Sequence, residues 1–363
     1  MAVKAPRPSV YRNAILITID CLRYDFFNQR FLPRTFRLIK DWAFFTNAFS
    51  HGPNTPMSFP AIMTSSYPLM YGDSPRLGPL RTTLAENLKR HGFITCGIAQ
   101  NQFLSEALGY GRGFDYYHNL VGPRGVRLMK LAIKHQFFAI DIVVKKIVFG
   151  LKTFLVPGSL ITQMAINMLK SRLLKAGRRF FLWVHYMDLH YPFSLSTMEL
   201  AKMPWRRMRT LLSSSLRLTD ASFKKDVLCC YQTALRNKVD IAVSSLLSFL
   251  DEEGILDDTV IIITADHGEE IFEHGDYTHM WKMYDEVIHV PLAIHAPELV
   301  EGREFDGIRG LMDVPATILA SLGLPKPAAF LGRSLLTAAN EPSAFRQYVI
   351  SEVGHSEETV FDI

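Results

Sequence analysis

Cysteine and long apolar runs are what this 363-residue sequence has least of. Its four cysteines include one adjacent pair, Cys229 and Cys230, and no pair at CxxC spacing. A disulfide framework and a zinc–thiolate centre are therefore not expected. No run reaches the roughly 18 apolar residues that a transmembrane helix needs, and no apolar segment of signal-peptide length precedes the first predicted strand. We therefore expect a cytoplasmic protein.

Charge of one sign is also scarce, because Lys and Arg exceed Asp and Glu by only five. We expect no nucleic-acid partner. The excess is nevertheless uneven, since Asp141 is the single acid in residues 122–180. Within this region the segment Val126–Val156 is both apolar and basic. It forms either an amphipathic helix that contacts an anionic membrane surface peripherally or an insertion packed on the domain, with Lys and Arg stems covering apolar area.

Short apolar runs alternate with helical patterns along the chain. The runs typical of buried strands are Ala14–Ile19, Ile94–Ala99, Phe180–Tyr186, Thr259–Thr264, Val290–His295 and Tyr348–Ser351. Helical patterns lie between them, for example at Thr83–His91 and Ala234–Glu252. This alternation predicts an α/β fold with a mostly parallel central sheet.

Polar side chains follow several of these predicted strands. Asp20 and Asn101 come after two of them, and Asp266 and His267 follow a third. Ligands of open α/β sheets collect at the carboxyl ends of the strands. Carboxylate and imidazole together suit a divalent ion with mixed oxygen and nitrogen ligands. We therefore predict a metal site, occupied by zinc or manganese, with calcium or magnesium as the alternative ions.

Two further segments carry reactive groups but have structural interpretations as well. His51–Pro68 offers the hydroxyls of Thr55 and Ser58 before a helix-like stretch, where a metal would activate a nucleophile; alternatively it is a proline-rich loop with a capping hydroxyl. His185–Phe193 would bind a second metal, hold an oxyanion or protonate a leaving group. Its alternative is a loop whose side chains satisfy nearby backbone groups.

Taken in order, the segments resemble the sulfatase family of the alkaline phosphatase superfamily. The resemblance rests on LITIDCLRYD, TPMSFPAIMTSSYP, FFLWVHYMDLHYPF, TADHGEEIFEHG, HMWKMYDEVIHVPL and GLMDVPATILASLGLPKPAAFLGRSL. It implies that Asp20, Asp266 and His267 bind the metal together with the nucleophile Thr55. It also implies the catalytic His190 and His279 and the substrate-binding Asn101. The other substrate-binding residues that we expect are His185 and Asp188, from the same strand end as His190, and Lys282. Lys282 lies two residues from Met280, which stands where the family usually has a catalytic lysine.

The same resemblance implies an alkaline-phosphatase-like three-layer sandwich formed by one catalytic domain over residues 1–363. The basic apolar region, at about 122–178, would be a cap or insertion. The C-terminal subdomain that is common in the family would be short or missing.

Two departures from the family pattern change the expected chemistry. Thr55 stands where sulfatases carry the Cys or Ser that becomes formylglycine, and the following arginine of that motif is absent. His267 stands where many sulfatases have Asn. Both departures favour a metal-dependent hydrolase of phosphate esters over one of sulfate esters. Its substrate would be a small-molecule, glycan-linked or lipid-linked anionic ester. The alternatives are a phosphoethanolamine-type transferase at a membrane surface and a non-catalytic binding protein.

Overall fold

The structure is a computed structural model that describes residues 11–72, 75–121, 156–191, 193–195, 199, 221–296, 303–338 and 346–354. The predicted membrane-contacting or insertion segment Val126–Val156 lies outside these residues, except for Val156. None of the described helices is long and apolar enough to cross a bilayer.

Within the described residues, eight strands form one large sheet in the order β10-β2-β9-β7-β1-β6-β4-β5, and β11-β3-β8 form a small one. The strands are β1 (Asn13–Ile19), β2 (Ala43–Phe45), β3 (Ala48–Phe49), β4 (Ile94–Ala99), β5 (Tyr116–Asn119), β6 (Phe180–Tyr186), β7 (Thr259–Ala265), β8 (His289–Val290), β9 (Leu292–His295), β10 (Glu304–Phe305) and β11 (Arg309–Gly310).

The centre of the large sheet is parallel. Strand β1 pairs in parallel with β6 on one side and β7 on the other, and β4 pairs in parallel with β6 and β5. Only β9 runs antiparallel to its neighbours β2 and β7. Every residue of β1, β4, β6 and β7 is buried, which explains their uninterrupted apolar sequences, because strands covered on both faces need no polar side.

Helices cover the sheet on both faces. They are α1 (Pro33–Ile39), α2 (Thr55–Thr64), α3 (Leu84–Arg90), α4 (Gly158–Met168), α5 (Ala221–Ala234), α6 (Asp240–Glu252), α7 (Asp285–Ile288), α8 (Asp313–Ser321) and α9 (Leu335–Ala338). One layer contains α1, α4 and α6, with α4 packed on β4 and β6; the other contains α2, α3 and α8, with α8 packed on β7. The predicted three-layer α/β fold is thereby confirmed.

Two predicted strands differ from the structure. Val290–His295 is divided at Pro291, which has no amide hydrogen: β8 pairs with β3 in the small sheet, and β9 pairs with β2 and β7 in the large one. Tyr348–Ser351 is not a strand. Its backbone contacts a loop instead, since the Ile350 carbonyl lies 2.7 Å from Nδ1 of His51.

Part of the predicted cap or insertion, at about 122–178, lies within the described residues. Helix α4 lies within this range, yet Ile161 and Ala165 are fully buried against the sheet. Residues 156–178 therefore belong to a helical layer of the domain rather than to a cap.

Candidate active site and metal centre

The carboxyl ends of β1 and β7 place two acids side by side. The last residue of β1, Ile19, pairs with Ala265 of β7, so Asp20 and Asp266 follow in the same register. Both carboxylates are fully buried. The parallel pairing thus explains why acids 246 positions apart in sequence meet at one edge of the sheet.

Helix α2 brings a hydroxyl to this edge. Thr55 is its first residue, and Asn54 caps the helix by accepting a 3.2 Å hydrogen bond from the Met57 amide. Asn54 also donates a 2.8 Å hydrogen bond to the Met280 carbonyl, which ties the helix start to the loop after His279. The hydroxyl of Thr55 therefore lies at the positive end of a capped helix, where negative charge is favoured.

Four predicted site residues surround Oγ1 of Thr55. Oδ2 of Asp266 lies at 3.2 Å, Nδ2 of Asn101 at 3.2 Å, and Oδ2 of Asp20 at 3.4 Å. Nε2 of His267 lies at 3.5 Å. The structure thus brings together residues from the ends of β1, β4 and β7 and from the start of α2.

His267 is oriented by its own turn. Its Nδ1 lies 2.9 Å from the Gly268 carbonyl, an arrangement in which Nδ1–H donates and Nε2 keeps its lone pair for the site. Burial, followed by the charge of His279, lowers the pKa of His267 to about 3, which favours the neutral, ligating form. A side chain at position 268 would meet the Glu286 carbonyl oxygen at 2.1 Å, so this turn requires glycine.

The two buried acids respond oppositely to their surroundings. Burial opposes ionisation of Asp20, but its close contact with His185, whose Nε2 lies 3.4 Å from Oδ2, lowers its pKa well below the ordinary value. Burial and the negative charge of Asp20 raise the pKa of Asp266 well above it. Two carboxylates that repel each other in a buried site favour a cation between them.

His279 and His190 form a group of histidines beside His267. His279 pairs through Nδ1 with both carboxylate oxygens of Glu269, each at 3.2 Å, and its ring centroid lies 4.2 Å from that of His267 and 5.7 Å from that of His190. Burial lowers the pKa of His279, but the charge and hydrogen bond of Glu269 exceed that effect and raise it. His279 is thereby favoured as a cation beside His267.

The remaining predicted site residues occupy different positions. Nε2 of His185 lies 3.4 Å from Oδ2 of Asp20 and is otherwise unpaired and buried. Asp188 accepts a 3.0 Å hydrogen bond from the Gly158 amide at the start of α4, and no contact joins its carboxylate to the Thr55 group. Nζ of Lys282 pairs with Glu270 at 2.6 Å and with Asp276 at 3.1 Å.

The donor set fits a divalent metal ion. Asp20, Asp266 and His267 present one ligand atom each within 4.8 Å of one another, all buried. Two carboxylates, one neutral imidazole and a hydroxyl are oxygen and nitrogen ligands of the kind that zinc and manganese accept. The unpaired Nε2 of His185 beside Asp20 is a further buried polar atom that an ion or its ligands would satisfy.

Sequence reasoning missed two residues of this region, Glu269 and Cys21. Glu269 is 1% exposed and orients His279, and its position two residues after His267 was the available signal. Cys21 follows Asp20 directly, and its Sγ donates a 2.9 Å hydrogen bond to Oδ1 of Asp20.

Comparisons with known proteins agree with this architecture. The sequence profile of the sulfatase family matches residues 12–324. This chain belongs to the sulfatase family. A curated relative of this sulfatase-family chain, arylsulfatase K of Bos taurus, is 32% identical over 108 residues, which cover 30% of this chain and 20% of that protein.

Two further comparisons are with a curated protein and with a solved structure. The multifunctional alkaline phosphatase superfamily protein PehA of Trinickia caryophylli is 37% identical over 123 residues, covering 31% of this chain and 22% of that protein. The phosphonate monoester hydrolase of Agrobacterium radiobacter superposes with a TM-score of 0.73 at 19% identity, covering 94% of this chain and 79% of that one. The curated matches thus span about a fifth of each relative, and the structural match shows the shared fold.

Proposed function

We propose that this sulfatase-family protein is a metal-dependent ester hydrolase in which Thr55 attacks a phosphoryl or sulfuryl centre, with phosphate esters preferred. The observation that carries the proposal is the placement of Oγ1 of Thr55 within 3.5 Å of Asp20, Asp266 and His267. Asp20, Asp266 and His267 would hold the ion together with Thr55. When bound, a divalent ion supplies a lower pKa for the hydroxyl and neutralises oxygens of the ester.

The residues of the chain divide the remaining steps. Asp266, 3.2 Å from Oγ1, accepts the hydroxyl proton as the Thr55 oxygen forms its bond to phosphorus. The bond from phosphorus to the leaving oxygen breaks, and His279 donates a proton to that oxygen. Asn101, 3.2 Å from Oγ1, donates to the transferred group. Water then attacks the phosphothreonine and restores the Thr55 hydroxyl.

The identity of the nucleophile supports phosphate esters. Threonine cannot be converted to formylglycine. A phosphoryl group transferred to its hydroxyl forms a phosphate ester, and hydrolysis of that ester regenerates the enzyme. The proposed partner is accordingly an anionic ester whose leaving group enters between His190 and His279.

Substitution of the nucleophile provides the test. Thr55→Ala should abolish turnover, and Thr55→Ser should retain part of it, in a screen of p-nitrophenyl phosphate, bis-p-nitrophenyl phosphate and p-nitrophenyl sulfate with several divalent metals. Acid quenching of wild type during turnover of a phosphate ester should trap phosphate on the peptide that contains Thr55. Thr46→Ala, a half-buried threonine in the loop after β2, is the matched control. Full metal-dependent turnover by Thr55→Ala would refute the assignment.

A further inference from the structure

The thiol of Cys21 lies inside the candidate metal centre, although the mechanism does not use it. It is fully buried, 2.9 Å from Oδ1 of Asp20 and 3.7 Å from Nδ1 of His279. The thiol is a hydrogen-bond donor to that carboxylate. The sulfur atom therefore shares an enclosed space with the ligands of the first site.

The backbone directs Cys21 into this space. Strand β1 ends at Ile19, and Cys21 has a φ of 60°, in the left-handed region that side-chain-bearing residues rarely adopt. The Tyr231 hydroxyl fixes this conformation by donating a 2.8 Å hydrogen bond to the Cys21 carbonyl. It also accepts one of 3.1 Å from the Arg23 amide. The consecutive side chains of Asp20 and Cys21 consequently both face the site, instead of alternating as they would in a strand.

The site contains two groups of ligand atoms that share His267. The first is the triad of Asp20, Asp266 and His267 described above. The second consists of Cys21, His267 and His279, whose ligand atoms also lie within 4.8 Å of one another and are buried. The first group is rich in oxygen and suits oxygen-preferring ions such as manganese, although zinc also accepts its ligands. The second combines sulfur with two imidazoles and suits thiophilic ions.

We infer that Cys21, His267 and His279 form a second, thiophilic cation position that overlaps the first. His267 has one lone pair at Nε2, because Nδ1 faces the Gly268 carbonyl, so an ion in either position excludes one in the other. Binding there forms bonds from the metal to the Cys21 sulfur and to the His279 imidazole. It releases to the buffer both the thiol proton and the extra proton of the His279 cation. The position that a metal ion occupies thus depends on whether the ion prefers oxygen or sulfur ligands. This inference does not rest on Thr55 as the nucleophile.

Cobalt(II) is a suitable probe, because a thiolate ligand gives it a near-ultraviolet charge-transfer band. We expect the band when reduced, metal-free wild-type protein is titrated with cobalt, and its loss in Cys21→Ser. The matched control is Cys229→Ser, which removes an exposed thiol and should keep the band. Absence of the band in wild type, or its persistence in Cys21→Ser, would overturn the inference.

A measurement on unmodified protein covers the case in which Cys21→Ser fails to fold. X-ray absorption at the zinc edge of zinc-loaded wild type should show a sulfur neighbour at about 2.3 Å. Manganese-loaded protein should show oxygen and nitrogen neighbours alone. A zinc spectrum without sulfur would exclude Cys21 as a ligand.

Discussion

The buried carboxylate of Asp313 and the buried carboxylate pair of Asp20 and Asp266 differ in what balances their negative charge. Asp313, 1% exposed, is paired with Arg346 through hydrogen bonds of 2.5 and 3.1 Å and also accepts from the amides of Gly310 and Arg333. Asp20 and Asp266 are equally buried, but no Lys or Arg among the described residues pairs with them. The first acid is neutralised within the chain, whereas the second pair has histidines, a hydroxyl and an amide as its neighbours.

The charge of a third buried acid, Asp188, is balanced in another way. Burial raises the pKa of Asp188 to about 6, and the Gly158 amide lowers it only in part. Asp188 is thus neutralised by a proton in mild acid. The three cases differ in what balances the buried negative charge. Asp313 has an internal cation and Asp188 takes up a proton, whereas the Asp20–Asp266 pair is the one that we propose binds a cation from outside the chain.

Removing one acid of the pair should produce the largest effect. Asp266→Asn should lower kcat/KM by about 10³-fold or more, because the several kcal/mol that a bound ion contributes to the transition state are lost. In chelator-treated protein the same substitution should leave the free energy of unfolding equal or higher, since it removes a repulsion. Steady-state kinetics and urea unfolding measure the two effects.

The exposed acid substitution Asp257→Asn is the control for both measurements. A large loss of stability in metal-free Asp266→Asn would show that this acid is structural, like Asp313, and would remove the contrast between the two sites.

Removing the arginine that pairs with Asp313 should lower stability and leave metal binding unchanged, which is the opposite of the effects expected at Asp266. Arg346→Met should lower the free energy of unfolding by about 3 kcal/mol, at the lower end for a buried pair because the arginine side chain is 15% exposed. Binding of metal to the residual folded protein should be unchanged. Arg333→Met is the matched control, because only its backbone amide contacts Asp313. Equal urea midpoints for the two variants would contradict the assigned pairing.

The sheet could be predicted from sequence wherever a strand is buried on both faces. Predicted β4 and β6 have the observed bounds, and β1 and β7 differ by one residue at one end. Prediction was wrong where long-range pairing decides the structure. Residues 290–295 look like one strand, but two different sheets accept their two halves. Tyr348–Ser351 has apolar residues but contacts the loop after β3 instead of forming a strand.

The candidate site was predictable to the extent that its residues follow strands or match family motifs. Asp20, Asn101, Asp266 and His267 lie at strand ends, and the structure brings Thr55 to them. Contacts between distant segments gave no local signal. The pairing of Glu269 with His279 and the proximity of Cys21 to both histidines depend on how the loop after β7 folds over β1.

The buried acid Asp188 should make stability depend on pH. Its native pKa of about 6 exceeds the ordinary 3.8, so the native state binds more protons between these values. The contribution of Asp188 to stability is then greatest below about pH 4 and falls as pH rises through 6, by about 3 kcal/mol in total. Asp188→Asn should remove this decline in urea unfolding at several pH values.

The same variant also tests the predicted substrate contact of Asp188. Because the carboxylate holds the Gly158 amide, Asp188→Asn should retain kcat/KM near that of the exposed-acid control Asp251→Asn. If the variant loses activity while its pH profile of stability stays unchanged, Asp188 is a substrate-binding residue as predicted from the sequence.

The helix cap beside Thr55 should have the smallest effect on stability. Asn54→Ala removes the acceptor of the Met57 amide and the donor to the Met280 carbonyl, and should cost about 1 kcal/mol of unfolding free energy. Asn54→Asp keeps the acceptor but cannot donate to the Met280 carbonyl. It therefore separates the effect of the helix cap from that of the hydrogen bond to the loop after His279. If Thr55 depends on both contacts, kcat should fall in both variants, whereas stability should fall mainly in Asn54→Ala. An Asn54→Asp enzyme with unchanged kcat would show that capping alone positions the hydroxyl.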